Sequence, residues 1–586
     1  MEEIEARILL KNLMKRISRS PDSWDLTEGE IEALQYALVS LGENPPPASP
    51  VPTTATVSPP KAESIKPLPQ FPPEEARPEI ADEAPVVELP IEQEEADSSI
   101  EIDFSTLKEA SPSDDRRLCI DFGTAMSKVT LVRDPTPDHG YEDIVVLKLG
   151  EPGDQDLSIS ETMLISSVYI DNEGLLWFGQ EAVSRSHVDA QASDRQRLDN
   201  IKRYLSEEGM DELVTSRFNP TDMTVTYREM LLAYLMFLTW TVNHCLQEEG
   251  EQLNLKRRFA MPCFEGSKSA ETARILSKML GEAQVLADTF FSTLKNGIPL
   301  KSFLQAIKQI REAKPDYKFI GESITEPLGV AGSIVNWQPD PNAQPALLMV
   351  IDVGAGTSDF SMFKIGTHAE SGRRTAVEVK GAADGISEAG NYLDQLLQGL
   401  ILRKAGVDSS HGYWINIQGN LALDLRNYKE TLFREGEVTV RLFTDELVEI
   451  DLKEFLALDQ VKKFGDSLRE CRDRILESVD RSWIHGAPGE VLAIALTGGG
   501  AGLPMVKELA KGKVTAQGKE LRIVQTPAFP RWLQDDYDEL ERDYPRIAVS
   551  LGGARAKLIE SAGVASITAG DIKGPPDPGG SYDPIR

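Results

Sequence analysis

One short motif occurs twice in this chain and limits what the chain can fold into. The first copy reads Cys119-Ile-Asp121-Phe-Gly123-Thr124-Ala125-Met-Ser127-Lys128-Val, and the second reads Val350-Ile-Asp352-Val-Gly354-Ala355-Gly356-Thr357-Ser-Asp359-Phe. Each copy is an apolar run, an Asp, a glycine-containing turn with hydroxyls, and another apolar run. That pattern predicts a strand, a tight turn and a returning strand. Glycine at the turn lets backbone N–H groups approach an anion closely. Thr and Ser hydroxyls add donors, and the Asp can hold the water shell of a Mg²⁺ ion. Two such hairpins facing each other would grip a polyphosphate from both sides. A single copy would be explained by hairpin chemistry alone, so the duplication is what carries weight.

At 586 residues the chain exceeds one ordinary core, and several domains are expected. Its net charge of −32 argues against a general nucleic-acid or anionic-membrane binder, which needs a basic face, while leaving room for a local basic pocket. Cys119, Cys245, Cys263 and Cys471 are widely spaced, with neither metal-ligand spacing nor a disulfide framework. Buried reduced thiols in a cytoplasmic protein are the expectation. The opening Met-Glu-Glu-Ile-Glu lacks the basic, then apolar, pattern of a signal peptide. The most apolar stretch, Met230 to Leu246, carries Thr239, Thr241, Asn243 and His244 and is shorter than the ~20 residues of a membrane span, so it predicts a buried helix.

Composition divides the chain. Residues 1–43 have helical character, with Ile4, Ile8, Leu9 and Leu13 at helical spacing and a cap-like Thr27…Glu30 ahead of Ile31, Leu34 and Leu38. Residues 44–115 are rich in Pro and carboxylates and nearly free of aromatics, which predicts a disordered acidic linker. Residues 116–560 alternate strand-like and helical runs, as in an α/β architecture. Residues 561–586 have the Gly and Pro density of a disordered tail.

A third glycine cluster follows an apolar strand: Ala495-Leu-Thr497-Gly498-Gly499-Gly500-Ala-Gly502-Leu-Pro504. Pro504 suits a first helical turn, so the segment predicts strand, glycine turn and helix, an arrangement that admits a nucleotide close to backbone. The order of the three glycine motifs resembles the actin, Hsp70 and sugar-kinase ATPase superfamily, and within it the Hsp70 ATPase domain. Asn200-Ile-Lys202-Arg203 is similar to the Hsp70 segment with the phosphate-contacting lysine. Glu322-Ser-Ile-Thr-Glu326-Pro327 resembles the Asn-Glu-Pro stretch. Arg258-Phe-Ala-Met-Pro262-Cys-Phe264 resembles the strand whose proline is the family's interdomain switch, and Ile547 to Ala554 resembles its closing helix.

The resemblance implies a two-lobed actin/Hsp70-like ATPase fold of duplicated ribonuclease-H-like domains over 116–560, binding ATP or ADP with Mg²⁺. It places Asp121 and Asp352 on the metal through water. Gly123, Thr124 and Ala125, with Gly354, Ala355, Gly356 and Thr357, would cradle the phosphates, and Gly498, Gly499, Gly500 and Lys429 would complete the nucleotide site. Lys202 would neutralise charge on the γ-phosphoryl, with Glu326 or Asp359 orienting water. Phosphoryl transfer to water is mostly positioning and charge stabilisation, so strong base activation is not required.

The match breaks on the adenosine side. Where Hsp70s carry Ser and Arg after the double glycine, this chain has Gly500 and Gly502. Where they carry Glu-x-x-Lys-Arg, it has Arg426-Asn-Tyr-Lys429-Glu430. Both base-sandwiching arginines are missing, a loss of about 1–2 kcal/mol per contact. A helical insertion is expected near 268–315, packing on its own domain or serving a partner. Too few residues follow Leu558 for a client-binding half, so the expectation is an ATPase core with an N-terminal extension. The leading reading is a slow Mg²⁺-dependent ATPase acting as a nucleotide-gated switch, with a protein partner reached through the N-terminal helices or the insertion. The alternatives are a non-catalytic nucleotide sensor or scaffold, an actin-like filament protein and, behind these, a sugar kinase.

Overall fold

The computed structural model describes residues 100–559 apart from 138–139, 151–160, 190–194, 207–208, 265, 339–343 and 368–373. The helical segment expected over 1–43, the linker up to residue 99 and the tail over 561–586 lie outside the described residues. The molecule is mixed α/β, as the alternation of apolar runs predicts.

Two sheets share one plan. The first is built from β1 (Arg116–Asp121), β2 (Met126–Arg133), β3 (Asp143–Val146), β4 (Lys256–Met261) and β5 (Ile320–Thr325), in the order β3-β2-β1-β4-β5. The second uses β6 (Ala346–Val353), β7 (Ser358–Thr367), β8 (Arg374–Glu378), β9 (Val491–Thr497) and β10 (Lys519–Gln525), in the order β8-β7-β6-β9-β10. In both, the first three strands pair antiparallel and the last two add in parallel. The duplicated motif therefore forms the first hairpin of each sheet, with Asp121 opposite Lys128 and Asp352 opposite Asp359.

Both faces of these sheets are buried, which is why the strands read as continuous apolar runs. Period-two alternation sends Leu118 and Ile120 into one core while Cys119 joins another. In the second sheet Leu347, Met349 and Ile351 face one core, and Leu348 and Val350 face that same shared one. The shared core is filled by α3 (Glu326–Ile334) and α7 (Tyr544–Ala554), numbered in sequence with α1 (Tyr227–Glu248), α2 (Gly266–Thr289), α4 (Gly390–Lys404), α5 (Trp414–Glu435) and α6 (Asp459–Ser478).

Helices α3 and α7 cross through glycines. A Cβ on Gly552 would overlap the carbonyl oxygen of Gly329, and one on Gly329 would lie 2.7 Å from the carbonyl oxygen of Val549. Such contact admits no side chain at the crossing. Ser333 and Tyr544 share a 2.7 Å hydrogen bond beside it, and Thr130 and Ser550 share one of 2.8 Å that ties α7 to β2.

The apolar stretch Met230 to Leu246 lies within α1, which opens on a capping box. Thr226 Oγ1 accepts from Glu229 N, and Thr226 N donates to Glu229 Oε2 at 2.8 Å. Among the described residues no helix is long and apolar enough to cross a membrane. The insertion consists of α2, a short turn and the helix Leu300–Ala313. Its apolar stripes, including Leu276, Leu280, Phe303 and Ile307, fill the core behind β1 rather than facing outward.

One boundary needs correction. Residues 100–115, assigned to the linker by composition, are structured: Ile100, Ile102, Phe104 and Leu107 pack on the first core, and Asp103 N donates to Thr289 Oγ1 at 3.1 Å. Apolar residues at every second position supply enough burial there to offset ordering, despite the acidic neighbours.

The crossing predicts opposite signs for two glycine-to-alanine changes. Gly552→Ala should destabilise by about 3 kcal/mol through overpacking. Gly399→Ala, within α4 and with nothing in reach of a Cβ, should stabilise by about 0.5–1 kcal/mol. Midpoints of urea unfolding for the two variants check this, and equal shifts would rule out the crossing as the tight spot.

Candidate functional site

The two hairpin turns face each other across a cavity of about 500 Å³, within the ~300–1,000 Å³ of small-molecule sites. Gly356 of the second turn lies directly against Thr124 of the first. Gly123, Thr124 and Ala125 line one wall, and Gly354, Ala355, Gly356 and Thr357 line the other. The second turn is fixed from behind. Gly354 N donates to Thr357 O at 2.9 Å, while α4 docks its first turn on the hairpin, with Gly390 N donating to Gly354 O and Asn391 N to Ala355 O. The amide of Gly354 is thus committed to the turn itself and is not a phosphate donor as the resemblance implied.

The third glycine cluster closes the floor. Gly498 takes φ = 81°, and a Cβ there would run into the Asp352 carboxylate, so both conformation and space demand glycine. Its N–H donates to Pro545 O, and that of Gly500 donates to Val353 O. These two glycines shape the wall, and Gly499 presents open backbone to the cavity.

The charged groups converge from four elements. The chain reverses at Asn200 (φ 58°), a left-handed conformation Asn tolerates, and buries Lys202. Glu326 begins α3 where β5 ends, and its carboxylate pairs with the Lys202 ammonium. Lys202 also stands 5.9 Å over the Phe122 ring. Burial works against the Lys202 charge, but Glu326, Asp121 and Asp359 outweigh it and hold the ammonium above its ordinary pKa. Asp121 meets Lys128 Nζ at 3.4 Å. Asp359 lies behind the turn rather than on the cavity wall. It accepts from Thr357 Oγ1 at 2.6 Å and, from the other sheet, from Cys263 N at 2.8 Å.

Burial and then the neighbouring Glu326 push Asp359 up to about 7. Asp352 is driven well above the carboxylate range by burial, then by Glu326, Asp359 and Asp121. This excess of buried negative charge suits a divalent cation, which hard carboxylate oxygens prefer to bind. Among the described residues no three His, Cys, Asp or Glu side chains converge on a bare metal ion. Asp121 and Asp352, which both line the cavity, offer the hard oxygens that such a cation takes directly or through water.

The far wall is one face of α5. Arg426, Lys429, Glu430, Phe433 and Arg434 all line the cavity at helical spacing. Lys429 is held by Asp394 at 2.9 Å and by Gly390 O at 3.0 Å, one step behind the second turn. Sequence reasoning missed Phe433, Arg434 and a role for Lys128, although the i, i+4, i+7 recurrence after Arg426 was available to find Phe433. The cavity is lined by Lys128, Lys202, Lys429, Arg426, Arg434 and Arg546 against Asp121, Asp352, Glu326 and Glu430: six cationic to four anionic side chains. In a chain of net charge −32 this is a local basic excess. A larger cavity of about 680 Å³ between residues 104–114 and 313–319 has no comparable convergence of glycine turns and paired charges.

No family model matches the chain. A chaperone protein HscA homolog from Shewanella sediminis is 25% identical over 177 residues, 29% of this chain and 26% of that protein. The alignment thus spans about a quarter of the relative's length. It supports a distant Hsp70-like relationship.

The crowded carboxylates make a pH prediction. The folded pKa of Asp359, about 7, lies above its unfolded value of about 4. Its contribution to stability is therefore present below the unfolded pKa and lost as pH rises through about 7. Relative to wild type, Asp359→Asn should gain thermal stability between pH 5 and 8 in the absence of nucleotide and divalent cations. A difference in Tm that does not move with pH would remove this electrostatic account.

Proposed function

We propose that this chain is an Hsp70-like ATP-binding protein and a slow Mg²⁺-dependent ATPase, working as a nucleotide-gated conformational switch over residues 116–560 in a two-lobed actin/Hsp70-like fold. The observation that carries this reading is the pair of duplicated hairpin turns facing each other across a cavity with local cationic excess. That arrangement suits a polyphosphate, and the distant Hsp70-like relationship makes ATP the first candidate.

In this reading Thr124 and Thr357 contact phosphate oxygens, and Asp121 and Asp352 hold Mg²⁺ through its waters. A cation held there would supply charge neutralisation to the phosphate chain. Lys202 stands where it can offset charge developing on the γ-phosphoryl, held in line by Glu326. Glu326 is the group to orient the attacking water, with Asp359 acting from behind the turn through Thr357. Water adds to the γ-phosphorus as the bond to the ADP oxygen breaks. Nucleotide between the sheets favours one arrangement over the other by its differential affinity, and a partner protein reads the change through the N-terminal extension or the insertion. The output belongs to the cytoplasm.

A non-catalytic nucleotide sensor is the second reading. It is favoured by the altered base side, where the ion pair Arg426–Glu430 at 3.2 Å stands in place of free stacking arginines.

Isothermal titration with Mg-ATP, Mg-ADP and Mg-GTP tests the site. Micromolar binding of adenine nucleotides is expected, weakened at least ~30-fold in Asp352→Ala. Absence of binding by every nucleotide would end the reading. Lys202→Ala separates the two versions: an ATPase should lose turnover by ~100-fold or more with binding largely kept, whereas a sensor has no turnover to lose.

A further inference from the structure

The hairpins account for a phosphate chain but leave the other end of the cavity, along α5, without a role. Phe433 is the one aromatic ring among its described lining residues. It stays half-buried while its neighbour Leu432 is fully buried in the second core. Phe433 packs one side on that same core and keeps its remaining surface outside it. Its ring is braced edge-on by the fully buried Phe455, with centroids 6.0 Å apart at 86°. The ring is therefore preorganised and leaves surface toward the cavity.

The glycine turn supplies a second wall. Gly499 and Gly502 both line the cavity and are exposed, and a Cβ at either would meet nothing within 4 Å. A flat group can approach this backbone without meeting a side chain. Of the three guanidinium groups that line the cavity, two are engaged elsewhere: Arg426 with Glu430, and Arg434 with Glu435 and Thr431. Lys429, tied to the second hairpin through Gly390, sits on the same helical face about one turn, ~5.4 Å, before Phe433. Along that face a phosphate-side cation is followed by an aromatic ring, the order in which a nucleotide presents phosphate and base.

We infer that Phe433 is the stacking platform for the base of the bound nucleotide, with the Gly499–Gly502 backbone as the opposite wall of the slot. This inference rests on the nucleotide reading of the same cavity. Stacking on a neutral ring replaces the cation–π contribution of the missing arginines. It makes Phe433 a specificity-determining residue, separating nucleotides from bare polyphosphates.

Titrations of the full chain with Mg-ATP and with Mg-tripolyphosphate test it. Wild type should prefer Mg-ATP. Phe433→Ala should weaken Mg-ATP by about tenfold or more while leaving Mg-tripolyphosphate within about twofold, and Phe433→Trp should restore the preference. The tripolyphosphate arm serves as the folding control, because loss of the Phe455 contact alone would move both ligands together. Equal weakening of both ligands, or no change in either, would overturn the platform. If wild type binds Mg-tripolyphosphate in an Asp352-dependent way but gains nothing from the nucleoside, the platform falls and the phosphate clamp stands. If it binds neither, the nucleotide reading fails and the slot with it.

Discussion

The close crossing of α3 and α7 is the constraint on which the rest depends. Two backbones meet at Gly329 and Gly552 with no room for a side chain, so the sheets on either side of this pair can come no closer there. Glu326 opens α3 and is thereby delivered to Lys202. Pro545, in the first turn of α7, accepts from Gly498 N and Thr497 Oγ1 and so sets the floor of the cavity. Charge placement at the site is in this sense a consequence of helix packing, since the side chains that pair across it belong to elements the crossing holds in register.

Duplication brought the two hairpins to the same position in each sheet, but their charges have parted. Seven residues after the shared Asp stands Lys128 in one copy and Asp359 in the other, each cross-strand from its Asp. The first hairpin carries an ion pair, and the second carries two carboxylates that repel. Lys202, contributed by the first unit, sits within reach of the surplus and is itself held charged by it. The cavity as a whole is lined by more cations than anions, but the cluster of Asp121, Asp352, Asp359 and Glu326 is crowded, and Asp352 and Asp359 are both pushed above the ordinary carboxylate range. Such crowding destabilises the empty site and favours whatever cation arrives with a ligand.

The glycine-turn walls of the cavity were legible because their demands are local. A turn that must place backbone against an anion requires Gly, and Asp–x–Gly with hydroxyls announces itself within a few residues; Gly498, forced by both φ and the Asp352 carboxylate, is the sharpest case. Apolar alternation likewise exposed the strands and the buried helix α1. The α5 wall was not legible in the same way. Phe433 and Arg434 belong to it through the orientation of α5, a tertiary fact, and Leu432 next door is apolar as well yet faces the core. The strap at residues 100–115 was obscured for the opposite reason. Its mean composition is that of a linker, while its period-two apolar residues bury against α2 and its neighbours.

The link between Cys263 N and Asp359 shows how the site reports on the arrangement of the sheets. Cys263 follows the end of β4 in the first sheet, immediately after Pro262, and Asp359 belongs to β7 in the second. Pro262 has no N–H to offer, so the first backbone donor beyond the strand is the one that spans the gap. Asp359 therefore accepts from two sides at once, from Thr357 within its own hairpin and from Cys263 just beyond β4 of the other sheet. Any motion that widens the cleft must break the second bond while keeping the first. This one carboxylate thus ties the turn of the second hairpin to the strand that leads toward α2.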